Sequence, residues 1–508
     1  MKYFIKKFLY LLELPSFSAI WLLSLSIIRT LIEFDLQNSI ALAQLSSIAH
    51  AVSYFVLCYA VTLFVFWLGL KKDISAAFKW TNIVFVILPF PPIIDHIFSS
   101  TIRLYQYAPK EHLLGNLITF FSKYGDASLG QQTLGIYIII ISFIAIYIAR
   151  RRIIPAIAAP LALYIFSVFA SIGWIRGLLP SGSYDFLEAK YMASRILHQG
   201  FTFFYIFTAI LIFIIWWFIL NFKTFRSLLI SIRPIRSFHM VQMGIFGLLQ
   251  SPHPVAPEMF GMNAISITLS ILLGWWLVAF VNDYADFKID RISNANRFHV
   301  CFPEYSRQAK DWMFWFGICS IILTMSLGII PLVLFALYIL GGIIYSLPPL
   351  RFRRNILSSS FIGLGSANLY LVGSTSYIPP NTNWWEVVNW SSALIILLGF
   401  GLSGFIKDEK DRVPDKIEGV TTIFTRFEYS KARKLAWFLL FCGWIIISLL
   451  STGILAVCFS SVCIALSMYL YYKSKPVTWQ ILLFQFFFLF LNIYTFVNKF
   501  FVKNYIVW

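Results

Sequence analysis

Apolar runs of roughly 18 to 24 residues recur along the whole chain, each long enough to cross a ~30 Å hydrocarbon core as a helix. The alternating ten-residue pattern of a transmembrane barrel is not found between them. The pattern predicts helices near 16–34, 47–70, 79–99, 131–149, 153–175, 201–222, 237–251, 263–282, 311–328, 329–347, 355–376, 389–406, 432–451, 453–472 and 478–498, about fifteen in all. The expected fold is all-α, a polytopic helical membrane protein. Every second polar segment is basic. Lys2, Lys6 and Lys7 precede the first run, Lys71, Lys72 and Lys79 follow the second, Arg150 to Arg152 follow the fourth, and Lys223, Arg226, Arg233 and Arg236 follow the sixth. Every second loop continues this way, and the loops after the seventh, ninth, eleventh and thirteenth runs hold no Lys or Arg. Cytoplasmic loops retain positive charge, so the N-terminus is expected in the cytoplasm and the C-terminus outside.

Composition agrees with this class. Of 508 residues, 59% are hydrophobic and 12% charged, and the mean hydropathy is +0.78. A soluble fold of this size would be left with extensive exposed apolar surface. The net charge of +18 does not point to nucleic acid, because the basic residues sit at helix ends rather than on one continuous face. They report topology and attract anionic headgroups. The six cysteines form no CxxC pair, so neither a disulfide framework nor a zinc site is indicated.

Two acidic segments break the apolar pattern. FVNDYADFKIDRIS places Asp283, Asp286 and Asp290 at the end of one run, and GFIKDEKDRVPDKIEGVTTI places Asp408, Asp411 and Asp415 at the end of another. Both follow the spacing i, i+3, i+7, which on a helix aims three carboxylates in one direction. Such carboxylates repel one another by about 4 kcal/mol per 4 Å pair at an effective dielectric of 20, so cations are needed to hold them together. Magnesium suits this donor set: it takes oxygen ligands and is usually completed by substrate phosphate and water. Asn282 adds a neutral oxygen one turn before Asp286. A single run of this kind reads most simply as a solvated boundary loop. Two copies with matched spacing and sidedness favour a metal site. A third segment on the same expected face, YSLPPLRFRR from Tyr345 to Arg354, carries Arg351, Arg353 and Arg354, whose planar donor forks suit phosphate oxygens.

NDYADFKID, YSLPPLRFRR and KDEKDRVPDKIEGVTT together resemble the UbiA-type intramembrane prenyltransferases, from about Arg233 to the C-terminus. The resemblance implies a ring of nine helices around a cavity, with the two Asp motifs facing each other and holding two magnesium ions on an isoprenoid diphosphate. It implies a metal shell of Asn282, Asp286, Asp290, Asp411 and Asp415, with Asp283 and Asp408 close by. Asp286, Asp290, Asp411 and Asp415 would carry the catalysis, and Arg233, Arg297, Tyr345, Arg351 and Lys407 would contact or support the diphosphate. One departure stands after the first motif, where many members have Arg-Pro and this chain has Arg297 followed by Phe298.

The expected organisation is an N-terminal membrane domain of about six helices over 1–222 and a UbiA-like domain of about nine over 223–508. The expected activity is magnesium-dependent transfer of a polyprenyl group from an isoprenoid diphosphate to a small aromatic or other lipid-precursor acceptor within the bilayer. The alternatives are a membrane terpene cyclase of the same superfamily and a non-catalytic transporter or scaffold. The N-terminal half carries no readable motif. Its Asp95 and His96, in PFPPIIDHIF, are ionisable groups within an apolar run and hence candidates by position alone.

Overall fold

The computed structural model describes residues 2–36, 45–98, 108–120, 127–171, 187–220, 222–251, 257–287, 290–291, 298–303, 306–379, 382–451, 453–473 and 477–505. Among them there is helix and no β-strand. Eleven helices are long and apolar enough to cross a membrane, and Met313–Met325 and Leu482–Asn498 are shorter apolar helices. The protein is an integral, multi-pass membrane protein. Two of the stretches expected to span fall outside both groups for a chemical reason. Pro234–Gln250 carries Arg236, His239 and Gln242, and Tyr429–Ser448 opens with Lys431, Arg433 and Lys434.

The chain divides into two compact units, Met1–Phe222 and Lys223–Trp508. In the first, Leu45–Gly69 packs along Leu187–Leu220. Its interior is knitted by a few buried polar side chains. Asn82 accepts from the Tyr59 hydroxyl at 2.9 Å and donates to Leu12 O at 2.8 Å. Asp95 is buried and accepts the Gly130 backbone N–H at 2.7 Å. That N–H lies in the first turn of Leu129–Arg150, where backbone donors lack intrahelical partners, so Asp95 has a structural task.

In the second unit nine helices are labelled here α1 Pro234–Gln250, α2 Pro257–Ala285, α3 Ser306–Met325, α4 Ile329–Ser346, α5 Phe361–Ser374, α6 Trp390–Ser403, α7 Tyr429–Ser448, α8 Ile454–Lys473 and α9 Val477–Tyr505. Each packs on the next, and α9 returns to α1, which closes a ring. Helices α1 and α5 also meet across it. Lipid tails are as apolar as Leu, so association inside a membrane relies on close packing of small residues. Gly373 on α5 is such a point: a Cβ there would lie 1.8 Å from the Gly244 carbonyl oxygen on α1. Gly373→Ala is therefore expected to cost about 3 kcal/mol or more, because the obstacle is backbone. Thermal unfolding of the purified protein checks this, and an unchanged midpoint would contradict the packing.

Candidate active site

The ring encloses a cavity of about 560 Å³. Its polar end is built where α2, α4 and α6 stop. Helix α2 ends at Ala285, and the turn continues because Asp286 N–H donates to Asn282 O at 3.0 Å and Asp290 N–H to Asp286 O at 2.9 Å. The first motif thus keeps helical spacing past the end of the apolar run. The second does not form one continuous helix. Asp408 lies in a 3-10 turn, Gly404–Glu409, Asp411 stands at the N-cap position of the next element without a side-chain capping bond, and Asp415 sits in that short helix, Arg412–Ile417. Pro414 is tolerated there because first-turn N–H groups have no partner to lose. Tyr429 donates to Glu409 at 2.8 Å and Arg433 approaches the same carboxylate at 3.4 Å, which ties the second motif to α7.

The third segment joins the other two. Arg353 ion-pairs with Asp286 through one guanidinium nitrogen, while the other lies 3.8 Å from Asp415 Oδ1. Arg351 donates to Ala285 O at 3.2 Å and lies 3.5 Å from Asp286 Oδ1. Thr421 N–H donates to Arg354 O at 3.1 Å, fastening the loop after the second motif to the same strap. Two acidic segments far apart in sequence therefore meet within the span of one guanidinium group.

Asn282, Asp286, Asp290, Asp408 and Asp411 line the cavity, as do Arg233, Tyr345, Arg353 and Lys407. Asp415 and Arg351 reach the cluster through ion pairs but are not lining residues. Asp283 turns instead to Arg233, with which it forms an ion pair. Lys407 donates to the Tyr345 hydroxyl at 3.0 Å, and its ammonium lies 5.3 Å from the ring centroid. Arg297 lies outside the described residues. Arg233 and Arg351 both hold left-handed backbone, φ 59° and φ 35°, and both contact a motif carboxylate. Such conformations cost about 1–3 kcal/mol each and concentrate at functional sites.

The acidic end retains capacity for a cation. Asp286 Oδ1, Asp411 Oδ1 and Asp415 Oδ1 are buried and accept no hydrogen bond. Burial pushes the Asp415 carboxyl up to about 7, with Asp411 and Asp408 adding to the rise and Arg353 opposing it. Hard oxygen donors lacking donors of their own fit Mg2+. Among the described residues no three acidic, His or Cys side chains stand close enough to hold an ion alone. Arg353 accounts for part of this spacing, since it stands between Asp286 and Asp415.

The UbiA prenyltransferase family model matches residues 241–497. The chain belongs to the UbiA prenyltransferase family. No curated protein matches it. Three solved structures show the extent of similarity. A UbiA homologue from Archaeoglobus fulgidus bound to GPP and Mg2+ is 15% identical over 53% of this chain and 98% of that one, with a TM-score of 0.43. An apo UbiA homologue from Aeropyrum pernix K1 is 16% identical over 52% and 98%, with a TM-score of 0.41. A digeranylgeranylglyceryl phosphate synthase is 19% identical over 54% and 98%, with a TM-score of 0.38.

Two residues of this UbiA-family site were not singled out by sequence. Arg353 is one of three arginines in its segment, of which the resemblance assigns the diphosphate role to Arg351, and only the fold sets Arg353 between the motifs. His299, in the short helix Phe298–Cys301, is buried and places Nε2 3.1 Å from Asp290 Oδ2. It follows the departure at Phe298, and no spacing rule ties a lone His to an Asp nine residues earlier.

Proposed function

We propose that the second unit catalyses magnesium-dependent transfer of a prenyl group from an isoprenoid diphosphate to a small acceptor inside the bilayer. The observation that carries this reading is the meeting of both Asp motifs at Arg353, at the polar end of an otherwise apolar cavity. In this reading Asn282, Asp286, Asp290, Asp408, Asp411 and Asp415 hold the cation, and Asp283 fixes Arg233. Mg2+, when bound, neutralises the diphosphate and makes it a better leaving group.

The chain's own residues supply the rest. Arg233, Arg353 and Lys407 present donors to the outer diphosphate oxygens, where charge grows as the allylic C–O bond breaks. Tyr345 orients Lys407 through its hydroxyl and ring. Arg351 holds the end of α2 and with it Asp286. The prenyl chain extends into the apolar part of the cavity beside Trp275, Phe361 and Phe400. Those rings keep water away from the allylic cation and offer it aromatic faces. The acceptor attacks C1, and the released diphosphate takes the acceptor's proton. Basic loops put this end on the cytoplasmic side. Residues 1–222 form a separate accessory domain in this scheme.

Release of diphosphate from geranyl diphosphate by the purified protein, with and without Mg2+, tests the reading. Proton competition gives a second check. The folded Asp415 carboxyl, at about 7, lies above its ordinary value of 3.8, so below pH 7 it is protonated and above pH 7 ionised. A cation displaces that proton, so apparent Mg2+ affinity rises with pH through this range. Stabilisation of the protein by Mg2+ is expected to be larger at pH 8 than at pH 6, and Asp415→Asn should flatten the difference. Equal stabilisation at both values in the unmodified protein would contradict the shift.

A further inference from the structure

Charge in the cavity is confined to one end. The lining cations are Arg233, Arg236, Arg353, Lys407 and Lys410, and the lining carboxylates are Asp286, Asp290, Asp408 and Asp411. Apart from Arg236, one turn into α1, these lie at helix ends or in the loops just described. Beyond the charged end the lining is mostly apolar, and besides His239 on α1 and Gln485 on α9 it holds two uncharged polar groups, on α4 and α5.

Tyr338 precedes Tyr345 by seven residues on α4, so it shares that face about 10.5 Å farther along the helix axis. Asn368 follows Phe361 by the same seven residues on α5 and is displaced by a similar distance. Tyr345 and Phe361 touch at the polar end, with ring centroids 5.8 Å apart. Helices α4 and α5 pack together. Tyr338 and Asn368 therefore lie at one depth. Gly365, one turn before Asn368, brings α5 against the Tyr338 ring, with its Cβ position 3.5 Å from Cε2. Gly341 lies between the two tyrosines, and a Cβ there would meet nothing within 4 Å, so the space along this face is open.

Both side chains line the cavity, and both are left with unmet polar capacity. The Tyr338 hydroxyl and Asn368 Oδ1 are buried and have no hydrogen-bond partner, and Tyr338 as a whole is 7% exposed. The neighbouring His239 is already engaged, with Nε2 3.1 Å from Ser366 Oγ. Unpartnered polar atoms in a low-dielectric cavity are costly and are met by a ligand or by ordered water. The two atoms are complementary: Tyr338 offers O–H, and Asn368 Oδ1 accepts. A single hydroxyl answers both, accepting from Tyr338 and donating to Asn368. An ether answers only the first. A carboxylate or phosphate at this depth would lack a cation and could donate nothing to Asn368.

We propose that Tyr338 and Asn368 form a hydroxyl-binding subsite, and that the acceptor is an uncharged molecule whose hydroxyl is held about two helical turns from the diphosphate end. This rests on the transferase reading for the word acceptor, though the subsite geometry does not. The test uses the full-length protein in lipid nanodiscs, with radiolabelled 1-decanol and its methyl ether as probes and empty nanodiscs as the background. Magnesium-dependent binding of geranyl diphosphate is measured on the same samples.

The wild type is expected to hold decanol about tenfold more tightly than the ether. Tyr338→Phe and Asn368→Leu should each bring the ratio near one while geranyl diphosphate binding stays unchanged. A ratio near one in the wild type overturns the proposal, as does a tenfold ratio that survives both substitutions. Tyr338→Phe alters only one oxygen, so the test stands even where Asn368→Leu fails to fold. A wild type that prefers decanol but binds no geranyl diphosphate with Mg2+ overturns the acceptor assignment and upholds the hydroxyl site.

Discussion

Asp286→Ala and Asp411→Ala are each expected to lower magnesium-dependent diphosphate release by at least about 10³-fold, with membrane insertion intact. One carboxylate comes from each motif, and each has a buried oxygen that accepts no hydrogen bond. Removing such an oxygen from a site where charge develops in the transition state costs about 4 kcal/mol, which is a thousandfold in rate. Asp286 also takes contacts from Asn282 at 2.8 Å and from Arg351 and Arg353. Its loss therefore frees two arginines as well as a ligand oxygen. Asp411 has fewer ties, so the second variant separates metal holding from support of the strap. Steady-state release from geranyl diphosphate, with the expression level in membranes as control, reads the outcome. Turnover undiminished in either variant would remove that residue from the site.

Arg353→Leu is the second large effect, and it acts in two ways. The guanidinium is the cation between Asp286 and Asp415, so its removal leaves Asp415 without its ion-pair partner and Asp286 with Arg351 alone. Breaking a buried pair from one side costs about 3–5 kcal/mol. The variant is expected to be markedly less stable than the wild type in the absence of divalent ions, and to regain most of that stability in millimolar Mg2+. Turnover should remain low even with the ion, because the fork that reaches diphosphate oxygens is gone. Arg353→Lys should restore part of the stability and less of the turnover, since an ammonium is a point charge without the planar fork. Thermal unfolding and diphosphate release, each with and without Mg2+, check both halves. A variant equal to wild type in both would show that Arg353 only marks a loop.

Hydropathy was enough to place the helices of the ring, because a membrane requires long apolar stretches with internally satisfied backbone. It was less informative at α1 and α7. Their charged and polar residues face the cavity or the loop ties rather than lipid, as His239 does toward Ser366 and Arg433 toward Glu409. The two Asp triplets were visible because their spacing is local. That they face each other followed only from the family resemblance, because no local spacing relates them and the side chain between them, Arg353, is distant from both in sequence. Arg353 becomes distinct from Arg351 and Arg354 only when the strap folds over the helix ends. The helical reading of the second motif failed for a local reason: the turn at Gly404–Glu409 tightens to 3-10, and a new short helix starts after Asp411. His299 and the Tyr338–Asn368 pair were hidden in the same way, as single polar residues in apolar surroundings, where chemistry is decided by what lies across the cavity.

The central claim, that both acidic motifs serve one diphosphate-bound ion site, is tested most directly by counting ions. Mn2+ binding in the presence of geranyl diphosphate can be followed by electron paramagnetic resonance for the wild type, Asp286→Ala, Asp411→Ala and the double variant. The account predicts that each single change removes the same high-affinity Mn2+ signal and that the double variant loses nothing further. Independent losses, with each variant retaining the ions of the other motif and the double variant losing their sum, would contradict it.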